Sequence, residues 1–377
     1  MKIVCDNKIP FLRGVLEPYA EVVYLPGKET TPEVVRDADA LITRTRTICN
    51  EALLKGSSVK VIATATIGFD HIDTAWCEAN GIIWKNAPGC NSASVKQYVT
   101  SVLVTLCRKH SLRFEDLTLG VVGVGNVGSK VASAASALGM KVLLCDPPRA
   151  RKEGQDAFVD LDTICRESDI ITLHVPLEKG GEDPTWHLFD AARIASLRPD
   201  QILINSSRGP VVDNAALKDA LLRKALKAAV LDVWEGEPNL DRELISLLDI
   251  TTPHIAGYSA DGKANGTSMS VQVVAEALGL KELVTWRASG VPAPEQSLSF
   301  EIDATGKSAQ EVLSEAVLHT YEVTADSDLL RACPESFEKL RGDYRIRREF
   351  TEFTVSLKGG TTEQAERLGK LGFKVQQ

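Results

Sequence analysis

Short apolar runs alternate with longer amphipathic stretches from the first residues of the chain. The runs KIVCD (2–6), EVVYL (21–25), ADALITR (38–44), VKVIATA (59–65) and GIIWKN (81–86) each hold adjacent apolar residues with no polar alternation. A strand that is apolar on both faces must be covered on both faces, as in a parallel sheet built from βαβ units. The stretch KQYVTSVLVTLCRK (96–109) contains neither Gly nor Pro and predicts one long helix. The strand pattern then restarts with TLGVVGVGNVG (118–128), KVLLCD (141–146), DIITLHV (169–175), QILINSS (201–207), AAVLDVW (228–234) and DITTPHIAG (249–257).

This order predicts an α/β protein with two doubly wound, Rossmann-like domains, divided near residue 95. The first spans 1–95 and the second 96–257. A helix over 267–284 is expected to return to the first domain, completing it with residues 258–285. The segment TWRASGVPAPEQSLSFEID (285–303) holds Pro292, Pro294, Gly290 and several serines and reads as a linker. Beyond it SAQEVLSEAVLHTY (308–321) and TTEQAERLGKLG (361–372) predict helices, and FTEFTVSLKG (350–359) an edge-type strand. Residues 286–377 are therefore expected to form a small α+β module suited to docking or dimerisation.

Composition narrows the function. The 377 residues carry a net charge of −8, whereas nucleic-acid-binding domains usually run basic. No apolar stretch reaches the roughly 18 residues that span a bilayer. The start MKIVCDNKIPF reads as a strand, without the layout of a signal peptide. The eight cysteines include no C-x-x-C pair, so reduced core residues are expected and metal ligands are not. A cytoplasmic protein with a small-molecule substrate is the expectation.

The loop Gly123-Val124-Gly125-Asn126-Val127-Gly128 lies directly between a predicted strand and a predicted helix. In such a loop the first glycine allows the turn, the second admits a pyrophosphate to the backbone, and the third lets helix pack on strand. The helix N-terminus adds amide donors and partial positive charge for the anion. Asp146 closes the next strand, where a carboxylate accepts from ribose hydroxyls and repels a 2′-phosphate. NAD is thus favoured over NADP, a preference that nearby Arg149 and Arg151 weaken without reversing.

Ligands of doubly wound sheets bind at the carboxyl ends of the strands. Here those ends read His174-Val175-Pro176, then Asn205-Ser206-Ser207-Arg208-Gly209, then Asp232 to Pro238, and finally Pro253-His254-Ile255-Ala256-Gly257-Tyr258. Arg208 offers a planar fork for a carboxylate. His254 is a side chain that takes a proton near neutral pH, and Glu237 beside it would fix its tautomer. Taken singly, Arg208 could pair with Asp213, His254 could be a satisfied core histidine, and Glu237 could be solvated surface. Together, beside a nucleotide fingerprint, they form a candidate catalytic set.

At GVVGVGNVG, LINSSRGPVVDNAAL, LDVWEGEP and TPHIAGYS the sequence resembles the D-isomer-specific 2-hydroxyacid dehydrogenases, over about residues 1–285. The resemblance implies catalytic roles for Arg208, Glu237 and His254. It also implies cofactor contacts at Val175, Ser206, Ser207, Arg208, Asp232 and Gly257, with Asp232 toward the nicotinamide amide. Where the family often has Thr, Val175 leaves only backbone or apolar contact. The segments KIVCDNKIPF, LITRTRTICNEALL, ATATIGFDHID and NAPGCNSASVKQYV look closest to members that oxidise a phosphorylated four-carbon 2-hydroxy acid and carry a C-terminal dimerisation domain. By that resemblance Thr45, Thr66 and Tyr258 touch substrate, and the protein is a homodimer. Ile67 stands near a place where members usually have Ala. In DYRIRREF, Arg345, Arg347 and Arg348 are expected to clamp the substrate phosphate of a partner subunit, against the plainer reading of a surface ion-pair set with Glu349 and Glu352. A three-carbon phospho-acid, or glyoxylate and hydroxypyruvate, remain alternative substrates. An NAD-sensing corepressor of the same fold is the non-enzyme alternative.

Overall fold

A computed structural model describes residues 1–376, and the chain divides into two compact units. The first comprises residues 1–91 with 259–292, and the second residues 92–258 with 293–377. The first unit holds strands β1 (Lys2–Asp6), β2 (Glu21–Leu25), β3 (Ala40–Thr43), β4 (Val61–Thr64) and β5 (Ile83–Lys85). They form an all-parallel sheet in the order β2-β1-β3-β4-β5. Alternate residues serve opposite faces: Ile3 and Cys5 pack with Val271 and Val274 of helix Ala260–Leu278, while Val4 packs with Leu41, Ile62 and Cys77. That two-sided burial is why the strand sequences show apolar runs rather than alternation.

The second unit is built on β6 (Thr118–Val122), β7 (Lys141–Cys145), β8 (Ile170–Leu173), β9 (Ile202–Asn205), β10 (Ala228–Leu231) and β11 (Ile250–Thr251). These strands are parallel in the order β11-β10-β9-β8-β6-β7. The chain leaves β6 for β7 on one side and returns to β8 on the other. The topological switch point therefore lies between β6 and β8, where the Gly-rich loop and the 174–176 loop emerge.

The long helix runs Ser92–His110, four residues earlier than its apolar run suggests. Polar Ser92, Ser94, Gln97, Thr100 and Ser101 are buried in it along with the apolar positions, so it must be covered on more than one side. The C-terminal module supplies part of that cover. Val312, Leu313, Val317, Phe350, Phe353, Leu368 and Leu371 share one core with Val99, Leu103, Val131 and Leu138. Gln97 donates to Thr320 Oγ1 (3.2 Å) and the Arg348 carbonyl (2.9 Å), and Ser101 to the Tyr321 carbonyl (2.8 Å). At about 1.5–3 kcal/mol for each buried Leu, Val or Phe, this shared core binds residues from 293 onward into the unit of the second sheet. They do not form a third compact unit of their own.

The module has three parallel strands, β12 (Ser299–Asp303), β13 (Thr354–Lys358) and β14 (Lys374–Gln376), ordered β12-β13-β14. β12 lies inside the stretch expected to be linker. Its alternation of exposed Ser299, Glu301 and Asp303 with Phe300 and buried Ile302 is a period-two signal masked by the neighbouring prolines and serines. Helices Ala309–Thr320 and Thr362–Leu371 start at Ser308 and Thr361 with capping boxes to Glu311 and Gln364. Helices Val323–Ala332 and Phe337–Gly342 had no counterpart in the sequence reading.

Candidate active site

The glycine loop after β6 has the geometry its spacing predicts. Gly123 has φ +84°, a left-handed conformation that glycine adopts without strain. A Cβ on Gly128 would lie 1.9 Å from the Gly123 carbonyl oxygen, whereas one on Gly125 would meet nothing within 4 Å. The third glycine is thus needed for packing, and the second leaves open space beside exposed Asn126 and half-buried Val127, at the N-terminus of helix Gly128–Leu138. Asp146 accepts from the Val124 amide (2.8 Å) and caps the next helix through the Arg149 amide (3.1 Å). It ties the end of β7 to the glycine loop. Arg149 is engaged by Glu153 and the Val124 carbonyl, and Arg151 by Asp183 and Glu182. Neither arginine is left unpaired to welcome a 2′-phosphate, so the donors and charges fit NAD. Val175, after β8, packs its Cγ1 against Gly123, 2.8 Å from where a Cβ would stand.

Arg208 follows β9 on a loop organised by buried Asn205. The Asn205 Oδ1 accepts from the Ser207 amide (3.0 Å) and hydroxyl (2.8 Å), while its Nδ2 donates to the Arg208 carbonyl (2.9 Å). Gly209 abuts the next loop so closely that a Cβ would sit 2.0 Å from the Trp234 carbonyl oxygen. The guanidinium makes one hydrogen bond, to the Ser207 carbonyl at 2.9 Å, and no carboxylate pairs with it among the described residues. Ser206 places a buried hydroxyl without a partner among the described residues beside it. Such an arginine is free to take a carboxylate in bidentate fashion.

Glu237 and His254 meet at 2.9 Å, Oε2 to Nδ1. The other carboxylate oxygen accepts from the Trp234 amide at 2.9 Å. Burial pushes the Glu237 carboxyl up, but the hydrogen bond and charge of His254, the Trp234 amide and Arg341 outweigh it and hold it below the usual range. The ionised carboxylate only accepts, so Nδ1 faces it with a ring hydrogen, and Nε2 is the nitrogen left to exchange a proton. Nε2 has no hydrogen-bond partner among the described residues.

His254 has φ +57°, rare for a residue with a side chain and costing of order 1 kcal/mol or more. Asp232 holds it there. Its carbonyl accepts from the His254 amide (2.8 Å), and its buried carboxylate from the Ile255 amide (2.8 Å), the Ala256 amide (3.0 Å) and the Thr252 hydroxyl (2.7 Å). Burial raises the Asp232 carboxyl above its usual range, opposed by His254 and these donors. Of about four lone-pair positions on a carboxylate, three are filled within the loop. Half-buried Gly257 and Tyr258 continue this segment, and Tyr258 accepts at its hydroxyl from Arg341 (3.2 Å).

The structure brings Gly123, Gly125, Gly128, Asp146, Val175, Ser206, Ser207, Arg208, Asp232, Glu237, His254, Gly257 and Tyr258 to the carboxyl edge of one sheet. In the other unit, exposed Thr45 follows β3 and Thr66 follows β4, so both stand at one edge of that sheet. Thr66 donates to the Gly68 carbonyl (2.8 Å) and pairs with the Thr64 hydroxyl (2.7 Å).

The tail arginines need correction. Arg347 is 2% exposed and donates to Ser94 Oγ (2.6 Å) and the carbonyls of Ile255 (3.2 Å) and Ala256 (2.6 Å), with its guanidinium 4.4 Å over the Tyr321 ring. Arg348, also buried, pairs with Glu352 (2.6 Å), and Arg345 with Asp326. Arg347 and Arg348 are interior supports, not an exposed phosphate clamp, because the module folds back onto its own chain's His254 loop. Sequence reasoning also missed Asn205, Tyr98, Thr252 and Arg341. Tyr98 bonds Thr252 (2.7 Å), whose carbonyl accepts from Trp234 Nε1 (3.0 Å). Only the polar residues within apolar runs hinted at such a network.

Residues 94–256 match the NAD-binding domain of the D-isomer-specific 2-hydroxyacid dehydrogenases, and residues 294–372 a domain of unknown function (DUF3410). The chain is 50% identical over 350 residues to the erythronate-4-phosphate dehydrogenase of Bacteroides fragilis, covering 93% of this chain and 97% of that protein. It is 41% identical to that of Porphyromonas gingivalis, covering 99% of this chain and all of the relative. Among solved structures, D-lactate dehydrogenase from Aquifex aeolicus complexed with NAD and lactic acid aligns with a TM-score of 0.63 at 28% identity. It covers 78% of this chain and 100% of that one.

Proposed function

Because the chain belongs to the erythronate-4-phosphate dehydrogenases, enzymes with the NAD-binding domain of the D-isomer-specific 2-hydroxyacid dehydrogenases, we propose that it oxidises 4-phospho-D-erythronate at C2. The product is 2-oxo-3-hydroxy-4-phosphobutanoate, on the route to pyridoxal phosphate. The observation that carries the mechanism is the Glu237–His254 pair, with its unpartnered Nε2, on the same sheet edge as Arg208.

Gly123, Gly125, Asn126, Val127 and Gly128 would hold the pyrophosphate of NAD, and Asp146 its ribose. Val175, Ser206, Ser207, Asp232 and Gly257 would line the nicotinamide end. The chemistry NAD⁺ supplies when bound is acceptance of the hydrogen that leaves C2 with its electron pair. Arg208 binds the substrate carboxylate and thereby orients C2. His254 Nε2 takes the hydroxyl proton as the C2–O bond becomes a carbonyl. Glu237 stabilises the resulting imidazolium through Nδ1–H. Thr45, Thr66 and Tyr258 complete the substrate contacts in this reading.

We propose further that the protein is a homodimer through its C-terminal module, a reading supported by the edge strands β12 and β14 of the small sheet. A reducing cytoplasm suits the seven buried free cysteines. No helix among the described residues is long and apolar enough to cross a membrane. The function is tested by incubating the protein with NAD⁺ and 4-phospho-D-erythronate and identifying the product by mass. A 2-oxo acid lighter by two hydrogens supports the assignment, and unchanged substrate under conditions where NADH binds would refute it.

A further inference from the structure

The substrate of this reaction is an anion at both ends, and Arg208 accounts for only one of them. The segment 341–348 carries four arginines, of which three are committed to partners within the chain. Arg345 pairs with buried Asp326, Arg348 with Glu352, and Arg347 is enclosed by Ser94 and two backbone carbonyls. Arg341 differs. Its nearest carboxylate oxygen is Glu338 Oε1 at 3.8 Å, on a side chain that is half exposed. Its Nε, like that of Arg347, is buried and has no partner among the described residues, so the contrast rests on its terminal nitrogens. One terminal nitrogen donates to the Tyr258 hydroxyl at 3.2 Å, and the guanidinium lies 5.7 Å from the Tyr258 ring centre and 5.4 Å from that of Phe337. The side chain is 22% exposed, so it is neither solvated freely nor closed off.

Two aromatic rings, one of them also through its hydroxyl, thus fix a cation whose hydrogen-bonding capacity is mostly unspent. Tyr258 ends the loop that carries His254, and Arg341 also acts on Glu237 electrostatically, helping to keep that carboxyl ionised. A guanidinium set at the end of a catalytic loop, with donors to spare, suits a phosphate better than a neutral group.

Resting on the proposed activity, we infer that Arg341, presented by the C-terminal module of the same chain and steadied by Tyr258, binds the distal phosphate of the substrate and sets the enzyme's preference for phosphorylated acids. The module then serves specificity as well as assembly. The clamp lies four residues or more before the arginines that the sequence singles out.

The test compares 4-phospho-D-erythronate with unphosphorylated D-erythronate on the full-length enzyme and on Arg341→Gln and Arg341→Lys. Loss of a charged hydrogen-bonded contact is expected to raise KM for the phospho-acid about 10- to 100-fold in Arg341→Gln. The ratio of kcat/KM for the two acids should fall by a similar factor, with partial recovery in Arg341→Lys. Inorganic phosphate should compete with the phospho-acid on the wild type and lose potency on Arg341→Gln. That readout does not move if Arg341 only supports Tyr258 or Glu237. An equal loss on both acids, with phosphate inhibition unchanged, would overturn the inference and leave the activity standing. A wild-type enzyme that prefers the unphosphorylated acid would overturn the proposed function and this inference with it.

Discussion

Replacing Glu237 by Gln tests the central pair with almost no change of shape. The carboxylate accepts two hydrogen bonds, one from the Trp234 amide and one from His254 Nδ1, each at 2.9 Å. An amide has one acceptor oxygen. If it faces Trp234, its NH2 faces Nδ1, and the ring must move its hydrogen to Nε2, which removes the base. If it faces His254, the Trp234 amide is left against a donor. Either way the imidazolium formed during oxidation loses its counter-charge. The Glu237 and His254 side chains are 22% and 32% exposed, so the charge is only partly screened. A charged hydrogen bond is worth about 1.5–3 kcal/mol, and the Coulomb attraction at 4 Å is about 4 kcal/mol for an effective dielectric of about 20. These bracket a loss of roughly 2–4 kcal/mol, or about 30- to 1,000-fold in kcat. The assay is initial-rate NADH formation with saturating phospho-acid, beside the isotope effect with C2-deuterated substrate, which should rise as chemistry becomes slower. A variant within threefold of wild type in kcat, with an unchanged isotope effect, would refute the assignment of Glu237 and the tautomer argument.

Other expectations follow from the same geometry. The native Glu237 carboxyl lies below its ordinary value of 4.5, so its contribution to stability is full above that pH and is lost as the pH falls through the native value. The gap in unfolding free energy between wild type and Glu237→Gln, measured by denaturant titration, should close on acidification below 4.5. Gly128→Ala places a Cβ 1.9 Å from the Gly123 carbonyl oxygen. Its backbone neighbours cannot move aside cheaply, so we expect about 1–3 kcal/mol of destabilisation and at least a tenfold weaker NADH affinity by fluorescence titration. Arg347→Met removes the donors to Ser94, Ile255 and Ala256. It should cost about 3 kcal/mol or more, lower Tm by roughly 6–12 °C, and depress kcat for phosphorylated and unphosphorylated acids alike. A rise in KM confined to the phospho-acid would restore the exposed-clamp reading of Arg347.

The legible parts of this molecule were those whose physics is local. Runs such as ILIN in β9 are apolar throughout because both faces of a parallel sheet are covered, and the strand ends then announce the site. The spacing of Gly123, Gly125 and Gly128 is dictated by backbone approach and could be read without any fold. What escaped depends on which surfaces meet. Arg347 and Arg348 read as an exposed phosphate clamp because nothing in DYRIRREF says that the segment turns inward against Ser94 and the His254 loop. β12 was hidden by prolines and serines that precede it, although Phe300 and Ile302 alternate with polar neighbours. Arg341 sits in no motif and gains its meaning only from Tyr258. The role of Asp232 as the anchor of a left-handed His254 likewise follows from three backbone and side-chain donors that converge through folding.

The most direct test of the account is a single-turnover experiment on NAD⁺-loaded protein mixed with 4-phospho-D-erythronate or with 3-phospho-D-glycerate, followed by nicotinamide absorbance. A burst of reduction approaching one NADH per active site is expected with the four-carbon acid, and much slower reduction with the three-carbon acid. Faster reduction by 3-phospho-D-glycerate, or none by either acid while NADH still binds, would contradict the account.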